Sequence, residues 1–264
     1  MTHGANSLEK EDRAFAEKIA VKADAMMRIP DNMTFEEAAL MGCFIFTVGQ
    51  GLFRRLGLRL PNSRTVTGEI VFIYGGSTSV GAMALQLVKL AGYNPITVCS
   101  PNNFELVKSY GAGEVWNYND TECIENIKQY ENKIDRTWDT ISLEASANFC
   151  AKILAPGGKY GKFLSPRDAN NIYGARIPRE DAEVSYTAAY TALGDPVEKL
   201  GVRLDDNTAG FGFHQGWVAA VEPLLAAGKI KSHPLWIRSG FEDILDGLAL
   251  VKSGTISGKL VYTI

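Results

Sequence analysis

From residue 69 the apolar positions settle into a regular rhythm. Short apolar runs at EIVFIY (69–74), PITVC (95–99), EVWNY (114–118), WDTISL (138–143) and GKYGKFL (158–164) alternate with stretches of helical spacing at 79–91, 102–110, 121–130 and 146–154. Runs with little polar alternation predict strands buried on both faces, and the helices between them can carry the chain back for parallel pairing. The order therefore predicts an α/β fold, a Rossmann-type doubly wound parallel sheet with helices on both faces. Ahead of it, residues 13–30 alternate as one or two strands with a turn at Ala23 and Asp24. Residues 31–57 predict a helix capped by Asp31 or Thr34, with Glu36 and Glu37 in the first turn where the helix dipole favours acids. Residues 58–68 form a polar connector. Residues 165–196 break the alternation as a mixed insertion. A helix over 212–230 with Gly228 at its C-terminal end follows, then a strand (233–238), a helix (240–254) and a strand (258–264).

The transition from the first apolar run to its helix carries the clearest chemistry. Gly75, Gly76, Ser77, Thr78, Ser79, Val80 and Gly81 occupy the turn. A Rossmann strand aims this loop at a dinucleotide diphosphate, and the next helix presents unpaired N–H groups to it. Gly81 falls where the helix packs tightly against the strand, and the hydroxyls can supplement the backbone donors. The tip of the second strand selects the dinucleotide. An NAD site places an acid there for the ribose 2′-hydroxyl. Here Ser100, Pro101, Asn102 and Asn103 stand instead, with no acid to repel a 2′-phosphate and with Ser100, Asn102 and Asn103 able to donate hydrogen bonds to it, so NADPH is expected. Ser100 and Pro101 also fit the cap and first turn of the next helix.

Composition narrows the function classes. The 264 residues are 46% hydrophobic with a net charge of −3, which supplies a core and gives no broad basic surface for nucleic acid or an anionic membrane. There is no signal-like or membrane-spanning run, so a cytoplasmic protein is expected. Cys43, Cys99, Cys123 and Cys150 are far apart and lack the close pairing of zinc sites. They are expected as reduced thiols, mostly buried. His3, His214 and His233 form no motif with acidic neighbours and are expected at the surface or in loops. No metal is expected.

Three blocks together, HGANSLEKEDRAFAEKIAVKAD (3–24), GGSTSVGAMALQLVKLAGYNPITVCSPNNFELVKSYGAGEVWNY (75–118) and GTISGKLVYTI (254–264), resemble the medium-chain dehydrogenase/reductase superfamily. Within it, the chain is similar to the zinc-free, trans-acting enoyl reductases of fungal polyketide synthases and polyketide–peptide hybrid synthases. The resemblance implies NADPH-dependent reduction of an α,β-unsaturated thioester held on the synthase's acyl carrier domain, in secondary metabolite biosynthesis. It implies cofactor contacts at Ser77 to Val80 and Ser100 to Asn103, at Tyr118 near the adenosine, at Leu164 and Ser165 beside the nicotinamide, and at Ile256 and Ser257. It implies substrate-lining segments at Gly42, Cys43, Phe44, Ile45, Phe46, Thr47, Val48 and Gly49, and at Tyr186, Thr187 and Tyr190. The proton donor stays open among Thr47, Tyr186, Tyr190 and water. Family members extend further ahead of the first block, so the resemblance implies an N-terminally truncated chain. Residues 1–60 and 230–264 would then be the remnant of a GroES-like substrate domain, and 61–229 the cofactor domain. Two other functions remain open. One is a catalytically silent cofactor- or synthase-binding module, and the other a zinc-free quinone or enone reductase.

Overall fold

The computed structural model describes residues 18–19, 21, 23, 26–61, 66–163, 175–194, 196–199, 202–204, 208–254, 256 and 258–263. Half of the predicted N-terminal strand region, residues 13–30, lies outside them, and its described residues contain no strand. Helix α1 (Phe35–Val48) begins at Thr34. The threonine hydroxyl accepts from the Glu37 N–H at 3.2 Å and the Glu37 carboxylate accepts from the Thr34 N–H at 3.0 Å, a reciprocal cap that makes Thr34, not Asp31, the start. The predicted helix then changes winding, because Gly49–Arg55 form a π-helix. Two indoles press on this segment: a Cβ on Gly49 would lie 2.5 Å from the Trp217 ring, and one on Gly51 2.7 Å from the Trp138 ring.

The predicted sheet follows as β1 (Ile70–Tyr74), α2 (Ser79–Leu90), β2 (Asn94–Cys99), a 3-10 turn (Pro101–Asn103), α3 (Phe104–Ser109), β3 (Glu114–Asn117), α4 (Cys123–Ile127), β4 (Arg136–Asp139), α5 (Glu144–Ile153), β5 (Lys159–Lys162) and β6 (Glu183–Tyr186). The strands pair in the order β3-β2-β1-β4-β5-β6, all parallel, with Tyr74 opposite Val98 on one side and Asp139 on the other. The strand period splits β1 between two cores. Val71 and Ile73 join α1, α2 and Trp217, while Ile70, Phe72 and Tyr74 join α4 and α5 on the other face. Each fully buried side chain of this kind stabilises the fold by about 2 kcal/mol.

Two predicted boundaries change. WDTISL does not run to 143, because the Asp139 carboxylate turns the chain by accepting from the N–H groups of Ile141 (2.9 Å) and Ser142 (2.8 Å), with Ser142 at φ 60°. The mixed insertion contains a sixth strand, β6, at the sheet edge, where Glu183 and Val184 are exposed and no continuous apolar run marks it. Beyond it come a 3-10 turn (Ala189–Leu193), β7 (Val197–Lys199) paired antiparallel to β8 (Val202–Leu204), and α6 (Thr208–Ala226). The C-terminal ribbon is β9 (Leu235–Ser239), α7 (Ile244–Lys252) and β10 (Lys259–Thr263), with β9 and β10 parallel.

Cys99, Cys123 and Cys150 are buried and free, and Cys43 is exposed. One histidine corrects the expectation: His214 lies within α6 and is 2% exposed, whereas His233 stands in the loop before β9 as expected, though only 8% exposed, and His3 lies outside the described residues.

Candidate cofactor site

Because all six strands are parallel, the loops leaving their carboxyl ends open on one rim. The loop after β1 is the glycine turn. Gly75 has φ 78°. The Gly75 and Gly76 N–H groups return to the Val98 carbonyl at 3.1 and 3.3 Å, and that of Gly76 also meets Thr97 Oγ1 at 3.0 Å. Thr97 Oγ1 itself donates to the Ile73 carbonyl at 2.6 Å. A Cβ on Gly76 would fall 2.3 Å from Thr97 Oγ1, and one on Gly81 2.3 Å from the Gly75 carbonyl oxygen. Only glycine lets α2 begin this close to the strand.

Thr78 caps α2, its Oγ1 accepting from the Gly81 N–H at 3.0 Å and its carbonyl from Ala82 at 2.7 Å. The same hydroxyl donates to Thr140 Oγ1 at 3.1 Å, and Thr140 donates to the Tyr74 carbonyl at 2.8 Å. The N–H groups of Ser77, Ser79 and Val80 meet no acceptor among the described residues. Three donors therefore remain at the positive end of a helix dipole, an arrangement suited to a phosphate.

After β2, Asn103 Nδ2 donates to Ser100 Oγ at 3.4 Å and its N–H to the Ser100 carbonyl at 2.9 Å, while Pro101 and Asn102 are exposed. No side chain caps this turn. Ser77, Thr78, Ser79 and Asn103 line one cavity of about 380 Å³, together with Ile256, Gly254, Gly258, His233 and Lys259. Three expected contact segments, separated by up to 179 positions (256 minus 77), thus reach one place. No carboxylate is among the cavity's described lining. Leu164, Ser165 and Ser257 lie outside the described residues. Tyr118, at the end of β3, is exposed and its ring lies 6.2 Å from that of Tyr74, which meets Phe149 edge-on at 5.4 Å.

The expected substrate segments are less uniform. Ile45, Phe46 and Val48 on α1 and Gly49 at the start of the π-helix are buried, and Trp217 Nε1 donates to the Ile45 carbonyl at 3.1 Å. Gly42, Cys43, Phe44 and Thr47 reach the surface, but on different sides. Gly42 lines a second, apolar cavity of about 460 Å³ with Met26, Met27 and Met33. Phe44 lies beneath Lys259, whose Nζ is 5.5 Å from the ring centre, and Thr47 Oγ1 donates to the Cys43 carbonyl at 2.7 Å. Tyr186 ends β6 at the rim, and the Thr187 N–H donates to the Lys162 carbonyl at 2.9 Å. Burial first, and Tyr190 second, push the Tyr186 phenol above its ordinary range. Tyr190 sits in the 3-10 turn, which Gln50 Nε2 anchors by donating to Thr191 Oγ1 at 2.7 Å.

Sequence reasoning missed a group that organises the rim. Asp139 is 0% exposed, and besides the two backbone donors it accepts from Ser146 Oγ at 2.7 Å and Tyr160 OH at 2.8 Å. A buried carboxylate satisfied by four donors fixes the β4 loop and, through Thr140, the glycine turn. Its only mark in the chain is an acid at the end of an apolar run. His233 and Lys259 were missed as well. Lys259 follows Gly258 in the tail block already singled out; His233 carries no local signal.

The pattern of the zinc-binding dehydrogenase family matches residues 79–168. The trans-enoyl reductase resD of Aspergillus sclerotiorum is 34% identical over 282 residues, covering 99% of this chain and 76% of that protein. The trans-enoyl reductase TOXD of Cochliobolus carbonum is 41% identical over 195 residues, covering 73% of this chain and 63% of that protein, so the match spans less than two thirds of its length. The crystal structure of CurK enoyl reductase, 19% identical, aligns with a TM-score of 0.66 over 89% of this chain and 64% of that one, which speaks to the fold alone. Among the described residues no group of three His, Cys, Asp or Glu could hold a metal ion, and no helix is long and apolar enough to cross a membrane.

Proposed function

The chain belongs to the trans-enoyl reductase family, oxidoreductases of the medium-chain dehydrogenase/reductase superfamily, and from that premise we propose that it reduces α,β-unsaturated acyl thioesters with NADPH for a polyketide synthase or polyketide–peptide hybrid synthase. The observation that carries the cofactor assignment is the shared cavity of Ser77 to Ser79, Asn103 and Ile256, with donors that are unpaired and no carboxylate among the described residues. The Ser77, Ser79 and Val80 N–H groups hold the diphosphate, and Ser100 with Asn103 holds the 2′-phosphate. Tyr118 lies by the adenosine, on an aromatic shelf with Tyr74. Residues 61–229 act as the cofactor domain, and 1–60 with 230–264 belong to the substrate domain, α1 packing across that boundary against α2.

When bound, the nicotinamide supplies hydride to the β-carbon of the enoyl group. The protein's part is to orient the two reactants and stabilise the charge that grows on the thioester oxygen. Burial keeps the Tyr186 phenol protonated, so at the rim it can donate a hydrogen bond to that oxygen. Thr47, whose hydroxyl proton is already given to the Cys43 carbonyl, is a weaker donor. The substrate is presented by an acyl carrier domain, and the free thioester is the minimal form.

Calorimetry against both dinucleotides tests the cofactor. NADPH is expected to bind more tightly than NADH, and the S100D/N103D variant, which sets two carboxylates against the 2′-phosphate, to lose at least about tenfold in NADPH affinity. Equal affinities would refute the assignment. Consumption of NADPH in the presence of a crotonyl thioester tests the reaction, with Y186F expected to lower kcat more than it raises KM.

A further inference from the structure

Two side chains of the cofactor cavity have no role in the function above. His233 is 8% exposed, and its Nδ1 is buried without a hydrogen-bond partner among the described residues. A buried imidazole nitrogen left unpaired is costly, and an ordered water or a ligand completes such a group. Its surroundings say which kind of ligand. From β10 it faces Lys259, and from the end of α3 the Tyr110 ring stacks on it with centroids 6.3 Å apart. The other polar side chains that line the cavity they share are those of Ser77, Thr78, Ser79 and Asn103, with no carboxylate among the described residues to satisfy either group. The backbone holds the pair together: the Lys259 N–H donates to the carbonyl of Pro234 at 2.9 Å, and a Cβ on Gly258 would lie 2.6 Å from the same oxygen.

We propose that His233 and Lys259 form a second phosphate-binding wall of this cavity, and that His233 takes up a proton from solvent when the dinucleotide's phosphate enters. The inference rests on the reading that the cavity holds NADPH. Burial, and then Lys259, keep the His233 ring more easily deprotonated than an ordinary histidine, so without an anion it is neutral. A phosphate beside it reverses the balance, and the only bond formed is N–H on the ring. The shared chemistry is a phosphate oxyanion, and its source is either the diphosphate or the 2′-phosphate.

The histidine ring signals of the full chain, followed by NMR at about pH 6.5 with and without NADPH or NADH, test the proposal. The His233 signals are expected to move from the neutral to the imidazolium position on saturation. Movement with both dinucleotides assigns the diphosphate, and movement with NADPH alone the 2′-phosphate. In parallel, H233Q and K259M are each expected to raise the Kd for NADPH about tenfold, and the affinity of the unaltered chain to fall as pH rises through the bound-state titration. Saturation with NADPH that leaves the His233 signals unmoved overturns the inference while the cofactor reading stands. Failure of the unaltered chain to bind either dinucleotide overturns both. Should H233Q not fold, the ring signals of the unaltered chain and the K259M affinity still decide.

Discussion

The cavity proposed for the cofactor has two walls built in opposite ways. The sheet wall is closed on itself. Every strand from β3 to β5 has a neighbour on each side or a helix over its face, the glycine turn is tied to Thr97, Val98 and Thr140, and Asp139 is saturated with donors. The ribbon wall is a two-stranded parallel pair with one helix, a unit too small to be stable alone. Tyr262 OH ties β10 to the Asp243 carbonyl at the start of α7 at 2.9 Å, and the unit is pinned to the rest by Lys259 over Phe44, by the Tyr110 hydroxyl donating to the Ser232 carbonyl at 3.1 Å, and by the Gln86 side chain accepting from the Lys231 N–H at 2.7 Å. Its outer face leaves Leu245 76% and Leu248 57% exposed. The difference separates two tasks. One wall has the fixed geometry that the proposed phosphate site needs, and the other brings His233, whose Nδ1 has no partner among the described residues.

The comparison breaks most severely at Gly81. A Cβ there meets backbone, the Gly75 carbonyl at 2.3 Å and Gly76 Cα at 2.9 Å, and backbone cannot swing aside. G81V is expected to cost about 4 kcal/mol in urea unfolding and to remove dinucleotide binding. Retention of both would mean the turn is not the closed element described here.

The sheet side nonetheless has one pH-sensitive point. His214 lies between Phe46 and Phe213, both ring nitrogens lack partners among the described residues, and burial, with a smaller contribution from Arg54, pushes its pKa down from 6.5 to about 4. The fold therefore holds this ring neutral, while the unfolded chain binds a proton below 6.5. The resulting stability is fully present above pH 6.5 and is lost as pH falls toward 4, about 3 kcal/mol in all. Urea midpoints measured across that window should fall with acidity in the native chain, and H214L should remove that component of the slope.

How much of this could be read from the chain follows the same division. The sheet was legible because strands buried on both faces leave continuous apolar runs, and the turn because glycine and hydroxyl residues stand together locally. β6 escaped because an edge strand with Glu183 and Val184 exposed needs no such run. The π-helix escaped because Trp138 and Trp217, which press on Gly51 and Gly49, arrive from far along the chain. His233 and Lys259 become neighbours only through the parallel pairing that sets Lys259 opposite Leu235. No local spacing encodes that register.

A milder break distinguishes the glycines of the two walls. Gly254 also lines the cavity, yet a Cβ there would meet nothing within 4 Å, and only its φ of 71° resists a side chain. G254A is expected to cost about 1 kcal/mol, the price of left-handed backbone, with dinucleotide binding retained. A loss as large as that of G81V would show the ribbon to be as tightly closed as the turn.

The smallest expected effect is the sharpest test of the ribbon. Leu245 and Leu248 stand three apart on α7 and share a face, so if the ribbon were held by burying that face within the chain, placing two charges on it would cost several kcal/mol. The described contacts instead put Ile244 and Gly247 inward, where a Cβ on Gly247 would strike the Tyr262 hydroxyl. L245K/L248K should therefore shift the urea midpoint by no more than about 0.5 kcal/mol and leave the NADPH Kd unchanged. A large destabilisation would mean that the outer face is covered in solution, and the ribbon would then be a buried wall like the sheet.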